Sequence, residues 1–381
     1  MYSLDGYGSM VADRVRVDAY AQALRETVRA GSVVVEIGTG PGIFAVLACQ
    51  LGAGRVYAIE RSEIIQVARE VAVANGCKDK IEFFEQFSNR VTLPTRADVI
   101  FSDLRGVLPL FERHIPAIMD ARRRFLAPGG TLIPRKDTLW AAIVEAPEPY
   151  RELVGPWDHN PLGQDLNAAR RLAVNNIQKA RVSPNQLLTG NQLWTSLDYR
   201  GVEDPDVQGN LEWTVERGGT GHGILVWFDA DLAEGVGFSN APSAPEAIYS
   251  SMLFPWTQPA SLVPGQVVAV SLEAKLVESD YVWRWNTHIE SLEGSGPQIH
   301  FEQSQLTGEM LSPAQLQRWA ADYVPHLSEE GHLRRRTFEL MDGKVSLEEI
   351  AHQLATEFPE RFLKWEQALS YTGAISQEYS R

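Results

Sequence analysis

The stretch that decides the fold is VVVEIGTGPG, residues 33–42. A run of three valines is typical of a strand that is covered on both faces of a sheet. Three glycines then fall within five positions, at Gly38, Gly40 and Gly42. Glycine allows a tight turn and a close approach of the backbone to a ligand. Residues 42–52 read as a helix whose first N–H groups are free to bind that ligand. The pattern predicts a strand, a ligand-binding turn and a helix.

The first 135 residues alternate between strand-like and helix-like segments. Strand patterns fall at 33–38, 55–60, 80–87 and 97–103, and helix patterns fall at 42–52, 62–76 and 114–130. Ser62 is a candidate N-cap for the second of these helices. Alternation of this kind predicts a doubly wound, Rossmann-like parallel sheet.

From residue 136 the pattern changes to strands of period two that are separated by turn residues. Candidate strands are 136–146, 221–232, 266–276 and 280–290, and residues 161–180 read as a helical excursion between them. No helix of matching length separates the later strands, so they predict an antiparallel β-sandwich or β-barrel. The fold class is therefore expected to be an α/β domain followed by a β-barrel domain.

After residue 308 the chain becomes helical again, and Ser346 and Glu349 have the spacing of a capping box. This patterning divides the chain into four expected parts. They are an N-terminal helical segment at 1–30, a Rossmann-like domain at 31–135, a β-barrel domain at 136–307 with an arm at 158–180, and a helical C-terminal domain at 308–381.

Composition narrows the classes of function. The 381 residues carry a net charge of −14, which disfavours a nucleic-acid partner and favours a cationic substrate. No apolar run is long enough for a membrane span, and the N-terminus lacks the pattern of a signal peptide. The two cysteines fit a reducing cytoplasm, and no Cys/His cluster has metal-ligand spacing, so we expect no bound metal.

The turn after the first strand suits one class of ligand. Its pattern is E-x-G-x-G-x-G, with Glu36 inside the strand, rather than the G-x-G-x-x-G of dinucleotide-binding turns. A carboxylate at Glu36 suits an ammonium or a hydroxyl group, and Glu60 ends the second strand where two ribose hydroxyls could donate to it. S-adenosylmethionine carries both groups. The alternative is a domain without a nucleotide, in which the glycines only make a sharp turn.

Together with the pattern of the N-terminal helix, these features make residues 2–300 resemble the protein arginine methyltransferases. Met10, Asp13 and Arg16 resemble that family's M-x-x-D-x-x-R helix. The resemblance implies that Arg16 meets the cofactor carboxylate and that Met10 and Asp13 lie at the substrate. It implies S-adenosyl-L-methionine as the cofactor, bound by Arg16, Glu36, Gly38, Thr39, Gly40, Gly42, Glu60, Arg61, Ser88 and Asn89.

Residues 102–112, SDLRGVLPLFE, resemble the family's double-acid loop, S-E-x-M-G-x-x-L-x-x-E. The resemblance implies that Asp103 and Glu112 are catalytic acids that hold a cationic nitrogen in line with the methyl group. Aspartate is one methylene shorter than the family's glutamate, and a misplacement of about 1 Å can cost around a hundredfold in rate. Either the loop has moved inward, or the acceptor is a free guanidine, a lysine, a histidine or an amide. His114 is a weaker candidate base that we expect to be exposed.

Residues 238–258 resemble the stretch that leads to the family's T-H-W loop. This alignment places Trp256 at the substrate and puts Pro255 where the family has the histidine that pairs with the acid corresponding to Asp13. Proline offers no donor, so that pair cannot form. Residues 156–171, PWDHNPLGQDLNAARR, stand where the family places its dimerisation arm, which implies a homodimer.

Three functions remain open from the sequence. They are an N-methyltransferase that acts on a guanidinium or a similar cationic nitrogen of a protein or peptide, a methyltransferase of a small metabolite on the same scaffold, and a non-catalytic member that binds the cofactor. The paired acids favour the first, and Asp103 and Pro255 favour the second. Residues 338–358 resemble the helical half of PqqD-type peptide-binding domains, which would imply a peptide substrate. The alternative is a helical appendage that covers the β domain or aids dimerisation.

Overall fold

The computed structural model describes residues 3–291, 298–310 and 312–380. The chain forms two compact units, Met1–Glu309 and Met310–Arg381. Among the described helices, none has the length and apolar character that crossing a bilayer requires.

The first unit begins with two helices and a five-stranded sheet. The sheet is entirely parallel, with the strand order β3-β2-β1-β4-β5, which confirms the predicted doubly wound architecture. Its strands are β1 (Val33–Ile37), β2 (Arg55–Ile59), β3 (Ile81–Phe84), β4 (Ala97–Ser102) and β5 (Leu126–Ile133). The helices of this part are α1 (Leu4–Ala12), α2 (Arg14–Thr27), α3 (Ile43–Gln50), α4 (Ile65–Ala74) and α5 (His114–Arg124).

The order of the strands determines where a ligand can bind. Strand order reverses between β1 and β4, where Ile37 lies opposite Ser102. Ligands of open α/β sheets bind at such a switch point, beyond the carboxyl ends of the strands. The glycine-rich turn after β1 and Asp103 after β4 are thereby brought side by side.

Two local predictions in this sheet were wrong. The helix predicted at 114–130 ends at Arg124, because the residues that follow it pair with β4 as strand β5. Ser62 is not an N-cap, since α4 begins at Ile65 and the Ser62 hydroxyl donates instead to Glu60 at 2.8 Å. In the first case strand β4 takes up the backbone groups, and in the second case the neighbouring Glu60 carboxylate takes up the hydroxyl.

The rest of the first unit is a pair of antiparallel sheets, as the period-two pattern predicts. One has the order β7-β12-β10-β6-β8, with β11 paired to β10, and the other has the order β15-β14-β13-β9. Aromatic side chains such as Phe254 and Trp285, whose rings lie 5.5 Å apart, belong to its core. The strands are β6 (Lys136–Val144), β7 (Gln178–Ala180), β8 (Gln192–Asp198), β9 (Val207–Thr214), β10 (Gly219–Ala233), β11 (Val236–Ser239), β12 (Ser251–Leu262), β13 (Val267–Val277), β14 (Asp280–Ile289) and β15 (Ile299–Ser304).

Two helices lie between strands β6 and β7. They are α6 (Pro147–Asp158) and α7 (Asn167–Ala173), so helix starts earlier than the predicted span of 161–180. The Asn160 side chain accepts the backbone N–H groups of Leu162 and Gln164, each at 3.2 Å, and so closes a turn between the two helices.

The second unit is helical, with α8 (Pro313–Arg318), α9 (Glu329–Leu340), α10 (Leu347–Glu357) and α11 (Trp365–Tyr379). It has its own hydrophobic core, which includes Leu333, Ile350 and Leu354. The predicted capping box is confirmed, because Ser346 accepts the N–H of Glu349 and the Glu349 carboxylate accepts the N–H of Ser346.

We expect Ser346→Ala to destabilise the second unit by about 1 kcal/mol, because the N–H of Glu349 at the start of α10 loses its acceptor, the Ser346 hydroxyl. Native-state hydrogen exchange of the α10 amides measures this loss. Ser370→Ala is the matched control, since the Ser370 hydroxyl only donates to a carbonyl within α11. Equal protection of α10 in both variants would contradict the expectation.

Candidate functional site

The glycine-rich turn joins the ends of β1 and β2. Gly38 donates its N–H to the carbonyl of Ile59 at 2.8 Å, and Gly40 donates its N–H to the Glu60 carboxylate at 3.1 Å. Gly38, Gly40 and Gly42 have φ angles of 79°, 51° and 84°, which L side chains rarely adopt. Glu60 therefore positions the turn directly, and one of its oxygens also accepts from Ser62.

Helix α1 covers this turn with a residue that the sequence did not single out. A Cβ atom built on Gly40 would lie 3.1 Å from the ring of Tyr7. Burial raises the pKa of Tyr7, and a hydrogen bond with Ser62 opposes that rise. Tyr7 thus forms a wall of the site above Gly40. No local sequence pattern around Tyr7 indicates this position.

Glu36 lies under the turn with almost no exposure, at 2%. The Thr39 hydroxyl donates to its carboxylate at 2.6 Å. Burial raises the pKa of Glu36 to about 8, although Thr39 and the Arg16 charge oppose the rise. A cationic ligand group placed beside Glu36 would favour its ionised form.

Arg16 connects the N-terminal helices to the double-acid loop. Its Nε donates to Asp103 Oδ2 at 2.5 Å, and its Nη1 donates to the carbonyl of Met10 at 3.2 Å. Asp13 caps α2 by accepting the N–H of Arg16 at 3.1 Å. The structure therefore brings Met10, Asp13, Arg16 and Asp103 together.

Asp103 is a buried carboxylate with two unequal oxygens. Oδ2 accepts from Arg16 and from the hydroxyl of Tyr249, the latter at 2.7 Å. Oδ1 lies 3.5 Å from Arg105 Nη1 and has no hydrogen-bond partner among the described residues. Burial raises the pKa of Asp103, but the Arg16 and Arg105 charges outweigh it and hold the pKa below its usual value. The carboxylate is therefore ionised and has one lone-pair face left.

The network continues from Arg105 into the β strands. Arg105 Nη2 donates to both Asp137 oxygens at 2.9 Å, and Arg105 Nη1 donates to the Tyr20 hydroxyl at 2.5 Å. The Tyr199 hydroxyl donates to Asp137 at 2.5 Å. Since Arg105 and Asp137 are buried, each is tolerated only because the other is present.

His114 ends this network and is not exposed, so that prediction was wrong. It is 1% exposed, because α5 begins at this residue and packs its ring against Tyr199. Its Nε2 lies 3.0 Å from the Tyr199 hydroxyl. That hydroxyl gives its only proton to Asp137, so Nε2 must donate. Burial, with the Arg105 charge, lowers the pKa of His114 to about 3, and the ring is neutral.

Glu112 lies in a different environment from Asp103. It has a φ of 41°, its backbone N–H donates to Asp280 at 3.0 Å, and its side chain is 52% exposed. Its carboxylate lies 3.8 Å from Arg61, whose guanidinium lies over the ring of Phe87 at 5.1 Å. Glu112 therefore faces the rim at the end of β2, whereas Asp103 is enclosed.

The structure does not place Trp256 with the other predicted site residues. Trp256 is fully buried within β12, and its indole N–H donates to Thr287 at 3.0 Å. Asp13 is instead met by Ile248, whose backbone N–H donates to Asp13 Oδ2 at 2.9 Å. The sequence analysis used this tryptophan to locate the loop. Residue type alone does not tell whether an indole lies in the core or in a cleft.

Ser88 and Asn89 lie in a short 3-10 turn, Ser88–Arg90, after β3. The Ser88 carbonyl accepts from Arg124 at 2.8 Å, which fixes the turn, and the Asn89 side chain is exposed. They lie on the same edge of the sheet as the glycine-rich turn, and no contact that the structure describes joins either of them to Asp103 or Glu112.

Comparisons with known proteins agree with this fold. A family model described as the arginine methyltransferase oligomerization subdomain matches residues 135–287. A second model, of the ribosomal protein L11 methyltransferase, matches residues 19–134. Together the two models span the sheet, the double-acid loop and most of the β strands.

Named relatives point to the same family. The chain is 30% identical over 233 residues to a probable protein arginine N-methyltransferase 6 of Arabidopsis thaliana, a match that covers 59% of this chain and 53% of that relative. The chain therefore spans about half the length of that protein. It is 25% identical over 286 residues to protein arginine N-methyltransferase 1 of Dictyostelium discoideum, covering 71% of this chain and 84% of the relative.

A solved structure shares the fold. It is a chain of the Trypanosoma brucei PRMT1 enzyme–prozyme complex, with a TM-score of 0.71 and 19% identity over 78% of this chain and 97% of that chain. The fold and site define a Rossmann-like domain joined to an antiparallel β domain by an arginine–carboxylate network. Residues 135–287 are similar to the oligomerization subdomain of the arginine methyltransferases, and these relatives and this structure carry that family's name.

We expect Arg105→Met to lower the free energy of unfolding by about 3–5 kcal/mol, because Asp137 would keep a buried charge without its partner. Chemical denaturation measures the change. Arg217→Met is the control, since Arg217 is 43% exposed in its pair with Glu145, and exposed pairs contribute about 1 kcal/mol or less. Equal losses in the two variants would show that the Arg105 network does not stabilise the fold.

Proposed function

We propose that this protein transfers a methyl group from S-adenosyl-L-methionine to a guanidinium, or a similar cationic nitrogen, of a protein or peptide. The observation that carries the proposal is the buried Arg16–Asp103 pair beside the glycine-rich turn, with one Asp103 oxygen that makes no hydrogen bond among the described residues. Relatives named protein arginine N-methyltransferases support the reaction. The similar Trypanosoma brucei structure is a complex with AdoHcy, which supports the cofactor.

The residues at the switch point fit this cofactor. Arg16 uses Nε and Nη1 within the described chain, and we propose that its Nη2 donates to the cofactor carboxylate. Glu36 has a pKa raised by burial, so it suits a neighbouring ammonium group. Glu60 keeps acceptor capacity beside the turn for ribose hydroxyls. When bound, S-adenosylmethionine supplies a sulfonium-activated methyl group. The proposed contacts also include Thr39, Arg61, Ser88 and Asn89.

Asp103 and Glu112 have separate tasks in this proposal. A guanidinium is a poor nucleophile because its charge is delocalised and it does not deprotonate in proteins. Asp103, buried and ionised, draws positive charge toward one acceptor nitrogen through Oδ1. Glu112, at the rim, holds the other side of the acceptor and can pass a proton to solvent. Fixing both contacts selects the near-attack geometry, from which much of the rate advantage derives.

One observation favours the second candidate, a methyltransferase of a small metabolite. Arg105 Nη1 lies 3.5 Å from Asp103 Oδ1, so the negative charge offered to a cationic acceptor is partly neutralised. A neutral amine or an imidazole would need less negative charge than a guanidinium does. The identity of the methylated product therefore separates the two candidates.

The test compares Glu112→Gln with the wild-type protein, using labelled S-adenosylmethionine, arginine-containing peptides and free guanidines, with products identified by mass spectrometry. We expect turnover to fall about 100-fold, the usual loss when one charge-stabilising contact is removed. Binding of S-adenosylhomocysteine should be kept, because Glu112 lies outside the glycine-rich turn. The control is Glu82→Gln, an exposed acid on β3.

Two results would count against the proposal. The first is wild-type turnover in Glu112→Gln, which would remove Glu112 from the reaction. The second is cofactor binding without methylation of any arginine peptide or guanidine, which would move the assignment to the metabolite or to the non-catalytic candidate.

We also propose a homodimer formed through the arm, residues 158–180, in a reducing cytoplasm. The match to an oligomerization subdomain supports the assembly, and Leu162, which is 79% exposed at the tip of the arm, gives it an apolar contact. The two buried cysteines, Cys49 and Cys77, are unpaired, which supports the compartment.

Removing residues 158–178 is expected to convert the dimer to a monomer, as measured by light scattering. Leu162→Asp is a milder variant that leaves α6 and α7 intact and should raise the dimer dissociation constant, because a buried interface leucine would become a charge. Glu152→Gln, an exposed change on α6, serves as the control. A wild-type protein that is already monomeric would refute the arm as a dimer contact.

A further inference from the structure

The segment between β11 and β12 touches the candidate site through two adjacent residues. The backbone N–H of Ile248 donates to Asp13, the cap of the helix that carries Arg16. The next residue, Tyr249, donates its hydroxyl to Asp103 Oδ2 at 2.7 Å. One short piece of the β domain therefore holds both the helix and the acid on which the proposed reaction depends.

The ring of Tyr249 has little freedom to move. It is 7% exposed and stacks on Phe238, with ring centroids 5.5 Å apart and an interplanar angle of 12°. Its other side meets Phe228 edge-on at 5.6 Å. The following residue, Ser250, has a φ of 56°, and its carbonyl accepts from the Asn240 side chain. The hydroxyl is thus presented at a fixed position.

The hydroxyl acts as a donor and stays protonated. Burial raises the pKa of Tyr249 well above its usual value, and the Asp103 charge raises it further. A buried phenol beside a carboxylate can only donate to it. Tyr249 takes no part in proton transfer at ordinary pH. It acts on Asp103 by fixing the orientation of the carboxylate.

The Tyr249 hydroxyl gives the two oxygens of Asp103 different surroundings. Oδ2 receives both Arg16 and Tyr249, so the carboxylate plane is fixed by donors from two directions. Oδ1 is then left with the Arg105 charge at 3.5 Å and with no hydrogen bond among the described residues. Without the hydroxyl, the carboxylate is free to rotate toward the guanidinium groups of Arg16 and Arg105, since carboxylates prefer bidentate pairing with arginine.

We propose that Tyr249 is a positioning residue for methyl transfer, which holds Asp103 Oδ2 so that Oδ1 is presented to the acceptor nitrogen. This inference rests on the proposed function. It also accounts for aspartate at position 103 in place of the longer glutamate. The Tyr249 hydroxyl and Arg16 fix the aspartate side chain, whereas a glutamate has more rotamers that would have to be restricted. No covalent step involves Tyr249.

The test is Tyr249→Phe, which keeps the ring and removes only the hydroxyl. We expect kcat to fall roughly 10- to 100-fold, the effect of losing one hydrogen bond to a charged group. The KM for S-adenosylmethionine and the calorimetric Kd for S-adenosylhomocysteine should stay within about twofold, because Arg16 and the glycine-rich turn are unchanged. The matched control is Tyr150→Phe, whose hydroxyl contacts backbone carbonyls at Trp256 and Thr257.

The outcomes separate this inference from the proposed function. A wild-type protein that neither binds the cofactor nor methylates an acceptor overturns the proposed function, whatever Tyr249→Phe does. A wild-type protein that methylates, together with an unchanged kcat in Tyr249→Phe, overturns the role of Tyr249 alone. A parallel loss of kcat, cofactor affinity and thermal stability in Tyr249→Phe shows a structural role only and also overturns the proposal.

Discussion

The pairing of two buried aspartates with two buried arginines is the constraint on which the rest of the structure depends. Asp103 lies between Arg16 and Arg105, and Arg105 also pairs with Asp137. Removing charges from water costs several kcal/mol per ion, so such a set is tolerated only when every member has its partners. The members come from α2, the loop after β4, and β6, so the charges hold the Rossmann-like sheet and the β domain in one arrangement. Tyr20, Tyr199, Tyr249 and His114 supply further hydrogen bonds of the network.

This network also explains why the two acids of the loop are unlike. Asp103 is enclosed, ionised and partly neutralised by arginines, whereas Glu112 is half-exposed and faces Arg61 at the rim. The eight residues between them form a bend in which Gly106 lies against Phe111, where a Cβ atom would come within 2.7 Å of the ring. A buried acid suits the fixed polarisation of an acceptor, and a rim acid suits contact with a substrate and exchange of protons with water. In the proposed function, the loop thus combines one rigid contact and one adaptable contact.

Much of the fold followed from local patterns. The parallel sheet of the first strands could be predicted because a fully covered strand, a glycine-rich turn and an amphipathic helix each leave a periodic signal. The capping box at Ser346 and Glu349 could be predicted for the same reason, since both partners lie within one turn of helix. Strand β5 was missed, because its residues, LAPGGTLI, carry a proline and two glycines and gain their strand geometry only from pairing with β4.

The sequence by itself determined the fold class and the residue types at the site, because spacing within a strand, turn or helix is a local property. The tertiary structure alone decided which of those residues meet. Asp103 bonds to Arg16, 87 residues away, and to Tyr249, 146 residues away, and neither distance is encoded in any short motif. Trp256 had the right identity for a substrate wall, but the pairing of β12 places it in the core. Burial and charge compensation depend on the whole set of packed elements, so they become visible only when the chain is folded.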